Sequence, residues 1–147
     1  MAGIERNIIP MIQETIERFL ARHDIPRNAG FILAVSGGAD SISLLHAFKY
    51  LNLRILALHC NFSLRGKESD MDEQFVKRFC DSYGIDHSVK KFNTLAYARE
   101  KSLSIEMAAR ELRYDWFREM KKKKKMDYIV VAHHADDVAE TLLINLC

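Results

Sequence analysis

Alternation constrains this chain most. Phe31 to Val35, Arg54 to Cys60, His87 to Phe92 and Tyr128 to Ala132 read as strands. Predicted helices separate and follow them: Asp40 to Leu51, Ser69 to Tyr83, a short Leu95 to Lys101, Ser104 to Lys123, and a last amphipathic helix from Asp136 to Leu146. Another helix, Ile4 to His23, comes first, and Asp24-Ile25-Pro26 ends it. Strands that alternate with helices form a parallel sheet whose two faces the helices cover. The predicted fold class is therefore α/β, a doubly wound, mostly parallel, Rossmann-like sheet with helices on both faces. Crossovers of one hand then place ligand sites at the carboxyl ends of the strands. The chain's 147 residues suffice for one domain with a real core. Hydrophobic content of 48% and charged content of 29% place it among soluble globular chains. No apolar stretch approaches the roughly 20 residues that span a bilayer.

Three polar clusters follow predicted strands, at the expected ligand edge. The first is Ser36-Gly37-Gly38-Ala39-Asp40-Ser41, between a strand and a helix. Such a turn presents backbone N–H groups and the positive end of a helix to an anion. Its glycines let the backbone come close to a phosphate. Asp40 would repel phosphate unless a cation lay between, which points to a nucleotide site with Mg²⁺. The hexapeptide is not a Walker A loop, since no lysine stands in it, and it lacks the G-x-G-x-x-G dinucleotide pattern. The plainer reading is a tight turn with Asp40 or Ser41 as helix cap.

The second cluster is His59-Cys60-Asn61-Phe62-Ser63-Leu64-Arg65-Gly66. Cys60 has no evident base beside it and reads as a small strand residue. The third is His133-His134-Ala135-Asp136-Asp137, with Glu140-Thr141 after it. Asp137 and Glu140 fit a helix-capping pattern, and a carboxylate there can also hold Mg²⁺. Adjacent histidines on extended backbone point to opposite faces, which speaks against a shared zinc. On the helix from Ser104, Glu106, Arg110 and Arg113 share one face. Spacing alone favours an i,i+4 Glu106–Arg110 pair with a solvated Arg113 over guanidinium groups placed for phosphate or RNA. Lys121 to Lys125 reads as a solvated helix end. Three cysteines without a C-x-x-C pair suit a reducing cytoplasm, and a net charge of +2 decides nothing about nucleic acid.

The hexapeptide resembles the PP-loop, S-G-G-x-D-S, of the N-type ATP pyrophosphatases. With the blocks at residues 59–70, Glu106-Met107-Ala108-Ala109-Arg110 with Arg113-Tyr114, and residues 133–141, the chain resembles the N-terminal domain of the tRNA(Ile)-lysidine synthases. The resemblance implies a fold like that of the adenine nucleotide alpha hydrolases. It implies an ATP-dependent carbon–nitrogen ligase that adenylates the wobble cytidine of tRNA(Ile) with a CAU anticodon and joins free L-lysine to it, releasing AMP and pyrophosphate. By motif, Ser36, Gly37, Gly38, Ala39, Asp40 and Ser41 would bind ATP. Asp40 and Asp137 would hold Mg²⁺ or assist lysine attack. Arg110, Arg113, His133 and Glu140 would bind substrate.

Residues 1–147 would form the PP-loop domain at the start of a longer chain, with tRNA-binding domains beyond it. A homodimer is left open. Alternatives are a tRNA 2-thiolation enzyme, a small-molecule synthetase with the same loop, or a nucleotide-binding fragment inactive alone. The absence of C-x-x-C counts against thiolation.

Overall fold

The structure, a computed structural model, describes the backbone of residues 2–132 and 142–145 and the side chains of residues 10–131. Its elements are α1 (Ala2–Arg22), β1 (Gly30–Ala34), α2 (Ala39–Tyr50), β2 (Arg54–Asn61), α3 (Lys67–Tyr83), β3 (His87–Lys91), α4 (Thr94–Lys101), α5 (Ile105–Lys123), β4 (Tyr128–Ala132) and β5 (Leu142–Asn145).

The sheet order is β3-β2-β1-β4-β5. β1 pairs in parallel with β2 and β4, and β2 with β3. The chain thus steps outward from β1 to β3, then returns to the other side of β1. That reversal opens a crevice outside the carboxyl ends of β1 and β4, where ligands bind in sheets of this kind.

Strand periodicity sends alternate side chains to opposite faces. Phe31, Leu33 and Val35 join Ile55 and Ala57 in a core with Ile12, Ile16 and Leu20 of α1, Leu45 and Phe48 of α2, and Val76 and Cys80 of α3. Ile32, Leu56, Leu58 and Ile129 face the other way, onto Trp116, Phe117 and Met120 of α5. Both faces are covered, as the alternation predicted.

Local chemistry sets several boundaries. Gly84 closes α3 in the left-handed region, φ 64°, where a side chain would be strained. The Asn93 and Ser104 side chains accept from the amides of Ala96 and Met107 and cap α4 and α5. The Asp127 carboxylate accepts from the Gly30 amide at 2.7 Å, and its own amide donates to the Gly30 carbonyl at 2.8 Å. This reciprocal pair pins the starts of β1 and β4.

One element departs from the predicted pattern. Residues 142–145, read from sequence as part of a terminal helix, form β5, antiparallel to β4. The segment Leu142-Leu143-Ile144-Asn145 is a short apolar run, and such runs fit strand or helix by periodicity alone. Beside β4 its backbone groups complete the sheet ladder, a partner the linear sequence does not display.

Candidate active site

The turn between β1 and α2 is wired from within. The Ser41 hydroxyl, 6% exposed, accepts from the Ser36 amide at 3.1 Å and donates to the Gly38 carbonyl at 3.1 Å. With its proton so used, it accepts from the Ser36 hydroxyl, 3.1 Å away. Ser36 Oγ also accepts from the Gly38 amide at 3.2 Å. Gly37 stands at φ +94°, and a Cβ there would meet Asp72 at 3.4 Å.

Gly38, not Asp40 or Ser41, is the N-cap of α2, and it brings no side-chain cap. Among the described residues, the amides of Ala39, Asp40 and Ser41 therefore have neither a helix carbonyl nor a capping oxygen to bond. A helix start without a side-chain cap is the kind of position at which an anion can be bound. Asp40 lies in the first turn of α2 and is not among the residues that line the cavity beside this turn.

Beside this turn lies a cavity of about 470 Å³ at the carboxyl ends of β1, β2 and β4. That volume suits a ligand of nucleotide size. Ser36 and Ser41 line it, with His59, Cys60, Arg65, Asp72 and Arg113. The two loops after β1 and β2 thus converge, as expected of clusters that follow parallel strands.

Arg113 reaches the cavity from α5. Its guanidinium lies 5.3 Å from the Phe62 ring centroid, and Cys60 lines the same cavity. Burial pushes the Cys60 thiol up to about 12, against the opposing pull of Arg113 and Lys90. It stays protonated at neutral pH and is a weak nucleophile. Arg110, one turn earlier, is exposed and lies 5.8 Å from the Tyr114 ring. The predicted Glu106–Arg110 pair with a solvated Arg113 is therefore corrected. Arg113 faces the site because Phe62 and Cys60 approach from β2, and Arg110 meets an aromatic face instead. The structure brings Arg113, but not Arg110, to the cavity wall.

Two buried polar residues of β2 complete the floor. His59 is 3% exposed, and its Nδ1–H donates to the Val35 carbonyl at 2.6 Å. A carbonyl only accepts, so the neutral ring carries its proton on Nδ1. Nε2 is buried and has no partner among the described residues. The Asn61 amide donates to Asp70 at 2.9 Å and to Glu73 at 3.2 Å, while its oxygen accepts from the Ser63 amide at 3.0 Å. Asn61 and Lys91 hold the Asp70 carboxyl below the usual carboxylate range.

His133, Asp137 and Glu140 lie outside the described residues. Among the described residues, no group of three or more His, Cys, Asp or Glu side chains could by itself hold a metal ion. No helix among them is long and apolar enough to cross a membrane. Asp72 is a site residue that sequence reasoning missed. Its position on α3 carries no motif signal beside the loop residues, and its nearness to Gly37 exists only in the folded chain.

The profile of the PP-loop domain family matches residues 9–147. This chain belongs to that family. Among curated relatives, a tRNA(Ile)-lysidine synthase of Porphyromonas gingivalis is 53% identical over 116 residues, which is 79% of this chain and 26% of the relative. Its counterpart in Bacteroides thetaiotaomicron is 47% identical over 92% of this chain and 32% of its own length. That of Bacillus subtilis is 38% identical over 90% of this chain and 29% of its own length. The PP-loop domain described here thus spans about a third or less of the curated relatives it matches. An NH3-dependent NAD synthetase from Campylobacter jejuni, solved with a nitrate ion, has the same fold at a TM-score of 0.66. It is 14% identical, covering 88% of this chain and 58% of the synthetase.

Proposed function

We propose that this PP-loop domain activates RNA as the N-terminal part of a tRNA(Ile)-lysidine synthase. One observation carries the reading: Ser36 and Ser41 of the glycine-rich loop and Arg113 of α5 line one cavity of nucleotide size. ATP docks its phosphates on the free amides of α2 and the hydroxyls of Ser36 and Ser41. The 2-carbonyl oxygen of the wobble cytidine of a tRNA(Ile) with a CAU anticodon attacks the α-phosphorus, and pyrophosphate leaves. The amino group of free L-lysine then adds at C2, AMP departs with the oxygen, and the lost proton passes to a carboxylate.

Each residue has a separate task. The amides and hydroxyls of the cradle stabilise charge that develops on departing pyrophosphate. Arg113 fixes the cytidine side of the cavity, and Arg110, exposed on the same helix, is assigned to the substrate as well. His133 and Glu140 lie near the substrate. Asp40 and Asp137 hold Mg²⁺ or accept the lysine proton. A single carboxylate with phosphate oxygens fits what Mg²⁺ requires, so Asp40 at the loop is a suitable ligand although the described residues form no metal cage. When bound, the ion neutralises the phosphate oxygens and polarises the reacting phosphoryl group.

The high pKa of Cys60 speaks against the rival in which a cysteine delivers sulfur. We place the tRNA-binding domains beyond this domain, in a chain as long as its relatives, working in the cytoplasm. The test supplies labelled lysine, Mg-ATP and unmodified tRNA(Ile) to the longest natural form of the chain and to residues 1–147. Label in the tRNA with release of AMP and pyrophosphate supports lysidine synthesis. No label from either form overturns it.

A further inference from the structure

Resting on ATP as the ligand of the cradle, we propose that Arg65 is the cation that receives the terminal phosphates of the nucleotide. The cradle itself holds no lysine or arginine, and its one charged side chain is Asp40. A triphosphate docked there would meet only neutral donors from the loop. Among the described residues, the arginines and lysines that line the cavity are Arg65 and Arg113. Arg113 lies against the Phe62 ring, 5.3 Å from its centroid.

Arg65 stands on the near side. Its Nη2 donates to Asp72 at 2.6 Å, and the Asp72 carboxylate lies 3.6 Å from where a Cβ of Gly37 would be. One carboxylate therefore bonds the guanidinium and lies beside the glycine-rich loop. Nη1 is held only loosely, 3.7 Å from Glu68. The backbone beneath is pinned, because the Arg65 amide donates to the Ser69 hydroxyl at 3.1 Å. A guanidinium has five N–H donors, and Asp72 engages one edge. The remaining donors, steered by Asp72, suit a planar pair of phosphate oxygens. Asp72 is thus a positioning residue, and Arg65 is the binding residue that distinguishes a nucleoside triphosphate from a monophosphate.

Calorimetric titration of the chain with Mg-ATP and, separately, with AMP tests this. Arg65→Ala should weaken Mg-ATP about 10- to 100-fold, the range of a lost charge-assisted bond, and leave AMP unchanged. Arg65→Lys should recover part of the loss, because it restores charge without the paired donors. Asp72→Asn should weaken Mg-ATP less than Arg65→Ala, with AMP again unchanged.

Unchanged Mg-ATP binding in Arg65→Ala, or an equal loss of ATP and AMP, overturns the assignment while the ATP site stands. A wild-type chain that binds neither nucleotide removes the ATP reading and this one with it. The Arg65 side chain is 62% exposed, so the variants are expected to unfold at the wild-type temperature.

Discussion

Two loops leave the same edge of the sheet, one after β1 and one after β2, and they are held by different chemistry. The first is braced by uncharged hydroxyl bonds among Ser36, Gly38 and Ser41. The second is braced by charge and carboxamide, through Asn61 to Asp70 and Glu73 and through Arg65 to Asp72. Neutral bracing keeps a backbone in place while its amides and helix dipole remain available to an anion. Charged bracing sets side chains that respond to one. On the proposed nucleotide reading, the first loop would be the rigid cradle and the second the adaptable wall facing it.

Substitutions can separate the roles. Asp40→Asn keeps the shape of the first loop and removes its charge, so AMP and pyrophosphate release should fall about 100-fold in kcat with little change in unfolding temperature. A near-normal rate would show that the cradle works without its carboxylate.

Gly37→Ala attacks the rigidity instead. Its φ of +94° is strained for any L-residue, whereas the new methyl would meet Asp72 only at ordinary contact distance, 3.4 Å. A destabilisation of about 1–3 kcal/mol and loss of Mg-ATP binding are expected from denaturant titration and calorimetry. Ser41→Ala removes a buried hydroxyl with three partners and should cost about 1–3 kcal/mol. If ATP binding survives that change, the cradle is stiffer than its hydroxyl bonds imply.

Asn61→Ala tests the second loop. It strands the Ser63 amide and frees Asp70, and an equilibrium loss of about 1–2 kcal/mol should appear with AMP binding nearly intact.

The smallest effect concerns pH. Cys60 titrates near 9.0 when unfolded and at about 12 when folded. The fold therefore keeps the proton that the unfolded chain releases. This contribution is whole below pH 9 and is lost as pH rises toward 12. In Cys60→Ala the fall in stability over that interval should be shallower, with Cys80, raised to about 11, supplying the remainder.

Much of the site was legible because its signals are local. A glycine-rich turn between an apolar strand and a helix is expected at residues 36–41, and the structure places that turn there, with Gly37 at φ +94° and Gly38 as N-cap. Arg113 was harder to read. On its helix it has the spacing of a solvated residue, and only Phe62 and Cys60, over 50 positions earlier in the chain, draw it to the cavity.

The sequence by itself determined the alternation of elements, the parallel sheet and the phosphate loop, since each follows from near-neighbour periodicity and backbone freedom. Tertiary structure alone decided that Arg113 rather than Arg110 lines the cavity, that Asp72 joins Gly37 to Arg65, and that residues 142–145 pair as a strand. Those outcomes depend on contacts between segments far apart in the chain. An arginine meets an aromatic ring, or a strand meets an open edge, only after the core has brought them together.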